Sequence, residues 1–484
     1  MKLATLRVLS DEDIGRIHEA TLDILEETGV ELGSPRMLGF LEKKGLRVDR
    51  DKRLQQDKGL QPLVRFPRER VAEALSTVPQ QFEVFDREGR FAFVLGDGVS
   101  KIAAGHNAVF WVDSDTGVTR SSRVSDVELF ARICEGLSDI DMIGIPVMPQ
   151  DVPDPQATLL YGVRACIENS RKPIFFSTDR VEINHTVIEM LRAAFKGDLA
   201  SKVYGISQLS PTSPLFWEGS VLDALEDTIA SNVPLAILPE PNAGVSAPYT
   251  LAGLLTVNNA ECLSGIVMTQ LLKPGTKVMY ANSWTATDMR NGYALVGSTE
   301  TTICRIAGAQ LARFYKIPSH TTAPNSDNHA HDEQNAWEKA LSQFCSVAAG
   351  NDLIVNCGMF ATGMTCSHEQ LLMDEEMSAI SRRIVRGIRV DDATIAKDLI
   401  KEVGPHNPAY LTALHTLEWL HSDEYIEPRV SIRCPRAVWE AAGGKDTYQV
   451  ARDKVRSHAQ QAPSAPLDQV RMGRVDEVIR RFAK

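Results

Sequence analysis

Residues 203–240 read VYGISQLSPTSPLFWEGSVLDALEDTIASNVPLAILPE. Two short apolar, β-prone runs, Val203–Leu209 and Leu235–Glu240, bracket a longer helical one, and this alternation predicts parallel strands covered by helices. The rhythm repeats on both sides. Met142–Pro149, Pro173–Thr178, Lys277–Asn282, Ile317–Thr322 and Leu353–Cys357 are further strand candidates, with Ala108–Val112 as a candidate eighth. Seven or eight such units in succession predict an α/β fold of the closed (β/α)8 TIM-barrel type rather than an open doubly wound sheet. No Gly-x-Gly-x-x-Gly follows a strand and no Gly-Lys-Ser/Thr phosphate loop occurs, which argues against the nucleotide-binding folds.

Before the barrel, residues 1–95 predict an N-terminal α+β extension. Ser10 can cap a first helix, Asp11, Glu12 and Asp13 suit its positive end, and Gly29 can stop it. Ile14, Ile17, Thr21, Leu22 and Leu25 share one face, which must pack on something. The alternating run Phe82-Glu-Val-Phe-Asp-Arg-Glu-Gly-Arg ends in hairpin-forming residues. The barrel core is expected over 96–364. Residues 365–484 predict a C-terminal helical region packing on the barrel, with Gln460-Gln-Ala-Pro-Ser-Ala-Pro as a linker to one last helix.

The chain has 484 residues, of which 43% are hydrophobic and 24% charged, so it can bury a substantial core. Its 63 acidic and 52 basic residues leave a formal charge of −11. No basic stripe could follow a phosphate backbone, so nucleic-acid binding is not expected and a cationic small substrate is easier to accommodate. The longest apolar runs fall far short of the roughly 18 residues of a membrane-spanning helix. The N-terminus lacks the apolar core of a signal peptide. Eight cysteines without a Cys-x-x-Cys pair read as reduced thiols, and the expected location is the cytoplasm.

In a (β/α)8 barrel the loops after the strands build the active site. Phe175, Phe176, Ser177 and Thr178 end one strand candidate; Glu240-Pro-Asn-Ala-Gly end another; Tyr280, Asn282 and Trp284 end a third. A single Phe here more often fills the barrel interior, whereas Tyr280 and Trp284 together suggest the mouth. The densest polar segment is Pro324-Asn-Ser-Asp-Asn-His-Ala-His-Asp-Glu-Gln-Asn-Ala-Trp-Glu-Lys. Its His329-x-His331 pair, with nearby carboxylates, would suit a Zn²⁺-dependent hydrolase. Only one strand candidate follows to supply further ligands, so a polar substrate loop is the stronger expectation, with helix capping by Asp327 or Asp332 as the plain alternative. His368 and His415 could reach the same mouth. No Gly-x-Ser-x-Gly elbow supports a Ser-His-Asp triad.

The stretch from Pro241-Asn-Ala-Gly-Val-Ser-Ala-Pro-Tyr through Gln270 to Lys273-Pro-Gly-Thr-Lys-Val-Met-Tyr280 resembles the trimethylamine methyltransferase family. So do Ile17-His-Glu-Ala-Thr-Leu-Asp-Ile-Leu-Glu-Glu-Thr-Gly-Val and Glu369-Gln-Leu-Leu-Met-Asp-Glu-Glu. The resemblance implies a barrel that moves a methyl group from an amine to the cobalt of a separate corrinoid protein, with no cofactor bound tightly by the chain itself. It also implies a homo-oligomer. Trimethylamine enzymes of the family carry pyrrolysine at a position matched here by His329, within Ser326-Asp327-Asn328-His329-Ala330-His331-Asp332-Glu333-Gln334. Members without pyrrolysine are similar to glycine betaine methyltransferases.

A quaternary ammonium already carries the charge that makes nitrogen a leaving group, so the resemblance implies catalysis by orientation. His329 and Asp327 are then the expected catalytic positions. Phe175, Phe176, Tyr280, Trp284 and Phe360 are candidate walls for a cation. His329, His331, Asn356 and Arg290 are candidate donors to a carboxylate, and Glu240, Asp327 and Asp332 candidate counter-charges. A non-catalytic betaine-binding protein is the remaining alternative.

Overall fold

The computed structural model describes residues 5–50, 62–405 and 409–482. Eight parallel strands close a barrel in chain order: β1 Lys101–Ala104, β2 Met142–Gly144, β3 Ile174–Ser177, β4 Gly205–Leu209, β5 Leu235–Ile237, β6 Val278–Asn282, β7 Ser319–Thr322 and β8 Leu353–Cys357. Each is followed by a covering helix: α1 Val124–Gly136, α2 Thr158–Asn169, α3 Val181–Ala194, α4 Gly219–Ala230, α5 Leu251–Leu272, α6 Thr299–Tyr315, α7 Glu333–Ala348 and α8 His368–Arg386. The eighth helix thus lies past residue 364, the boundary expected from sequence.

The strand expected at Ala108–Val112 is corrected to Lys101–Ala104. Two alanines and a lysine make a weak β signal, but inside a barrel small residues make room for large ones, and Ala103 shares the interior with Met142 and Phe175. Lys101 is tolerated because its ammonium lies 3.2 Å from Asp97. Phe110–Val112 instead pairs with Thr119–Ser121 and Thr365–Cys366 in a small four-stranded sheet.

Strand alternation sorts the side chains. Phe175, Ile206, Met279, Ala281, Leu353 and Val355 fill the interior, whereas Ile174 and Phe176 face one set of helices and Val278 and Tyr280 another. At the base the hairpin Phe82–Phe85/Phe91–Leu95 contributes Phe82, Val84, Phe93 and Leu95 to the same interior cluster. The N-terminal helix Asp11–Asp23 starts at Ser10, whose hydroxyl accepts from Asp13 N–H at 3.1 Å. Its buried face joins α5 in one core, and Val30–Leu32 pairs in parallel with Phe216–Trp217 from the loop after β4. Among the described residues α5 is the one helix long and apolar enough to cross a membrane, and 72% of that window is buried inside the fold.

Candidate functional site

A cavity of about 850 Å³ opens at the C-terminal end of the barrel, and the segment after every strand lines it. His106 and Asn107 follow β1, Met148 follows β2, and Ser177 to Arg180 end β3. Gln208 and Ser210 come from β4, Glu240 and Asn242 from the loop after β5, and Ser283 and Thr285 follow β6. Thr322 and Asn325 close β7, and Asn356 and Met359 close β8. Gly105 makes the first turn feasible: at φ +82° its missing Cβ would lie 2.6 Å from the Pro146 Cα. A register shift in β8 between Val355 and Cys357 brings Asn356, at φ +128°, to the cavity wall.

A hydrogen-bond chain fixes this wall. Asn325 Nδ2 donates to the Thr322 carbonyl at 3.0 Å, Asn356 Nδ2 to Asn325 Oδ1 at 2.9 Å, and His106 Nδ1 to Asn356 Oδ1 at 3.2 Å. The proton of His106 therefore sits on Nδ1, and burial lowers its pKa to about 4, so the ring is neutral. Beneath it, Phe175 lies edge-on to His106 and close to His320. Burial first, then the neighbouring His106, lowers the His320 pKa to about 3. A neutral imidazole has one N–H. The Leu353 carbonyl, 3.2 Å from Nδ1, can only accept and takes it. The Gln208 side chain, which also lines the cavity, lies 3.3 Å from Nε2.

Glu240 is the distinctive charge. Its side chain is exposed where the cavity opens, and desolvation by the protein packed around that opening raises its pKa to about 7. Among the described residues no hydrogen bond to it is found. Arg180 is the one Arg or Lys lining the cavity; its guanidinium lies 4.0 Å from Glu182 and is 45% exposed. Arg305, fully buried, ties the rim together by donating to the Thr322 and Val296 carbonyls at 2.6 and 2.7 Å.

A second cavity of about 990 Å³ adjoins the first, with Ala294 and Thr362 lining both. His329 and Asp327 line this outer space, together with Phe110, Tyr293 and Met364. Asp327 is half-buried, which raises its pKa, and it accepts from Gly297 N–H at 3.1 Å and Thr362 Oγ1 at 3.3 Å.

Of the residues expected at the site, Glu240 and Asn356 line the inner cavity, and His329 and Asp327 the outer one. The others lie elsewhere. Phe175 is barrel filling below the floor, and Phe176 points outward into the helical layer. Tyr280 also points outward, donating to Asn259 Oδ1 at 2.9 Å, and Trp284 packs in the same outer core. Arg290 is exposed and paired with Asp288 at 2.7 Å. His331 lies between Phe360 and Tyr448, both with ring centroids at 4.6 Å, and burial lowers its pKa to about 4. Phe360 is buried with Val112 and Ala361. Asp332 caps α7, accepting from Gln334 and Asn335 N–H. The expected aromatic box is therefore not built: no Phe, Tyr or Trp lines the inner cavity. The His329–His331 metal pair is split between the outer cavity and a stacked pocket, and among the described residues no three His, Cys, Asp or Glu side chains group as metal ligands would. His368 is buried against Trp111, and His415 sits in a distal helix, Leu414–Leu420.

Sequence reasoning passed over His106, Gln208, Asn325 and Arg180. For Gln208 the available signal was a polar residue in a strand that also carries apolar ones, as in Gly205-Ile-Ser-Gln-Leu209.

A closed parallel barrel with a polar, acid-bearing cavity at its C-terminal mouth defines a TIM-barrel enzyme. In the solved structures this fold resembles the Methanosarcina barkeri monomethylamine methyltransferase, with a TM-score of 0.52 and 10% identity over 99% of this chain and 88% of that one. A hydroxylamine complex of the monomethylamine enzyme gives 0.54 and 11%, covering 94% and 89%. The profile of the trimethylamine methyltransferase family matches residues 1–484, and the chain belongs to that family of methyltransferases. It is 30% identical to a trimethylamine methyltransferase of Desulfitobacterium hafniense, covering 95% of this chain and 90% of the relative. It is 29% identical to one of Methanosarcina barkeri (96% and 92%), and 28% identical to a glycine betaine methyltransferase of Desulfitobacterium hafniense (90% and 89%).

Proposed function

We propose that this chain transfers a methyl group from a quaternary amine bearing an anionic tail, with glycine betaine the first candidate, to Co(I) on a separate corrinoid protein. One observation carries the reading: the inner cavity is lined both by Glu240, a carboxylate with no hydrogen bond among the described residues, and by a single guanidinium, Arg180. The Glu240 carboxylate suits the positively polarised C–H groups around an ammonium nitrogen. Arg180 suits a carboxylate bidentately. This assignment replaces the aromatic walls and the donors His331 and Arg290 expected from sequence.

The N–CH3 bond breaks with its electron pair going to nitrogen, so a quaternary substrate leaves as a neutral tertiary amine and needs no acid or covalent residue. The chain's task is to hold the N–CH3 axis toward the acceptor and keep the substrate from turning. The acceptor cobalt, supplied by the partner protein, is the nucleophile. The outer cavity, continuous with the inner one and lined by His329 and Asp327, offers room for its approach. His329 thus stands toward the partner, in the pyrrolysine-matched position, without a covalent role. The reading places the reaction in the cytoplasm, in keeping with eight cysteines all free.

The test mixes the protein with its reduced corrinoid partner and a panel of amines while the cobalt spectrum is followed. Glycine betaine, proline betaine or carnitine should be demethylated and trimethylamine left intact. Arg180→Gln should raise KM for the reactive betaine roughly tenfold or more and leave tetramethylammonium turnover, where detectable, unchanged. Reaction with trimethylamine alone would overturn the assignment.

A further inference from the structure

The turn that ends β1 brings two neighbouring side chains, His106 and Asn107, to the wall of the inner cavity. Gly105 at φ +82° and Asn107 at φ +57° bend the chain there, in the left-handed region that Gly and Asn tolerate. The bend is held by Asn107 N–H on the Ile145 carbonyl at 2.6 Å and by Ala108 N–H on the Pro146 carbonyl at 3.0 Å. His106 and Asn107 each keep part of their surface open.

What each offers the cavity is decided by a backbone carbonyl, which can only accept. The Thr322 carbonyl accepts from Asn325 Nδ2, so Asn325 turns Oδ1 toward Asn356 Nδ2, and Asn356 turns Oδ1 toward His106 Nδ1. The imidazole must donate from Nδ1. Because the protein packed around the ring keeps it neutral, Nε2 is left with a bare lone pair. In the same way the Ser177 carbonyl accepts from Asn107 Nδ2 at 3.2 Å and leaves Oδ1 as the free atom of that amide. Among the described residues neither His106 Nε2 nor Asn107 Oδ1 has a hydrogen-bond partner, and neither is sealed off as a buried atom. The pair is therefore an acceptor wall with no proton of its own to give.

We propose that His106 and Asn107 form a subsite for a hydroxyl, and that the substrate is a quaternary ammonium carboxylate with an O–H on the chain between its charged ends. The inference rests on the quaternary-amine reading above and narrows it. Glu240 suits the ammonium and Arg180 the carboxylate, whereas two bare acceptors repel a carboxylate and call for a donor. A quaternary nitrogen has no N–H, so a hydroxyl on the tail is the donor such a substrate brings. Glycine betaine has none, and its methyl C–H groups make only weak contacts with nitrogen or oxygen acceptors. A cavity of about 850 Å³ has room for the longer tail. An analogue without the hydroxyl displaces water from both acceptors and leaves them unmet.

The test uses γ-trimethylammoniobutyrate and its β-hydroxy derivative, carnitine, which differ by one oxygen atom. Calorimetric titration of the full chain, and turnover with the reduced corrinoid partner, should both favour the hydroxylated compound about tenfold or more, with one enantiomer preferred. His106→Phe should bring that ratio close to one by weakening the hydroxylated compound. Asn107→Gly, which keeps the left-handed backbone, should lower the ratio too and serves if His106→Phe does not fold. In protein isotope-labelled at the histidine nitrogens, the His106 ring should carry its proton on Nδ1, and its Nε2 resonance should move on addition of carnitine but not of the deoxy compound. Equal use of the two compounds by the wild type, a ratio unmoved in both variants, or a proton found on Nε2 would overturn the inference and leave the quaternary-amine reading standing. If every quaternary amine is inert and a protonated tertiary amine binds through His106, the acceptors take an N–H and both conclusions fall.

Discussion

Glu240 is exposed to the cavity while the protein packed around it desolvates the carboxylate, and this makes its charge depend on pH in the working range. Its folded pKa of about 7 stands above the ordinary value of about 4.3. The group is neutral below that pH and anionic above it, and only the anion attracts an ammonium. KM for a quaternary substrate should therefore fall as pH rises through about 7, while Glu240→Gln should give a higher KM without this pH dependence; steady-state kinetics of both proteins across that range is the check. In the free protein the sign is opposite. A carboxyl whose folded pKa is raised contributes stability below its unfolded pKa that is lost as pH rises through the folded one, so the thermal midpoint should fall less steeply toward alkaline pH in Glu240→Gln.

At the scale of elements, the cavity wall depends on a buried ion pair between α7 and α8. Lys339, on α7, lies 3.1 Å from Asp374, on α8, and both are fully buried. The ammonium also donates to the carbonyls of Pro324 and Met359, and the carboxylate accepts from Gly358 N–H at 2.7 Å. The loop after β7, which carries Asn325, and the end of β8, which carries Asn356, are thereby fastened to the outer helices. Removing one partner leaves the other charge buried, at a cost of about 3–5 kcal/mol. Lys339→Met should show this loss in urea unfolding. By comparison, Asp332→Ala removes a helix cap and should cost about 1 kcal/mol, with little effect on turnover; a large loss of turnover would mean that Asp332 reaches the substrate.

Across the whole molecule, the N-terminal residues are part of the barrel's core. Leu25, Val30, Leu32 and Phe66 share one cluster with α5, and the hairpin Phe82–Leu95 fills the base. A chain beginning at residue 96 would expose both surfaces and should be insoluble or melt without cooperativity. A soluble fragment with a single sharp transition would show instead that the barrel stands alone.

The βα alternation, the capped first helix and the capping role of Asp332 were legible in the chain because each rests on neighbours within a few residues, where periodicity and cap chemistry act. The acid at 240 was legible for the same reason, since it ends a recognisable strand. The facing of each strand was not. Phe176 and Tyr280 lie in the last residues of strands and Trp284 follows one, as active-site aromatics would, yet the pleat turns Phe176 and Tyr280 outward, and a shift of one residue exchanges wall for helix packing. The β1 strand escaped notice because Ala103 and Ala104 gain their value only from the large side chains opposite. Which charges come to line the cavity, Glu240 above all, follows from the closure of eight strands separated by some 250 residues of chain, a relation that no local pattern encodes.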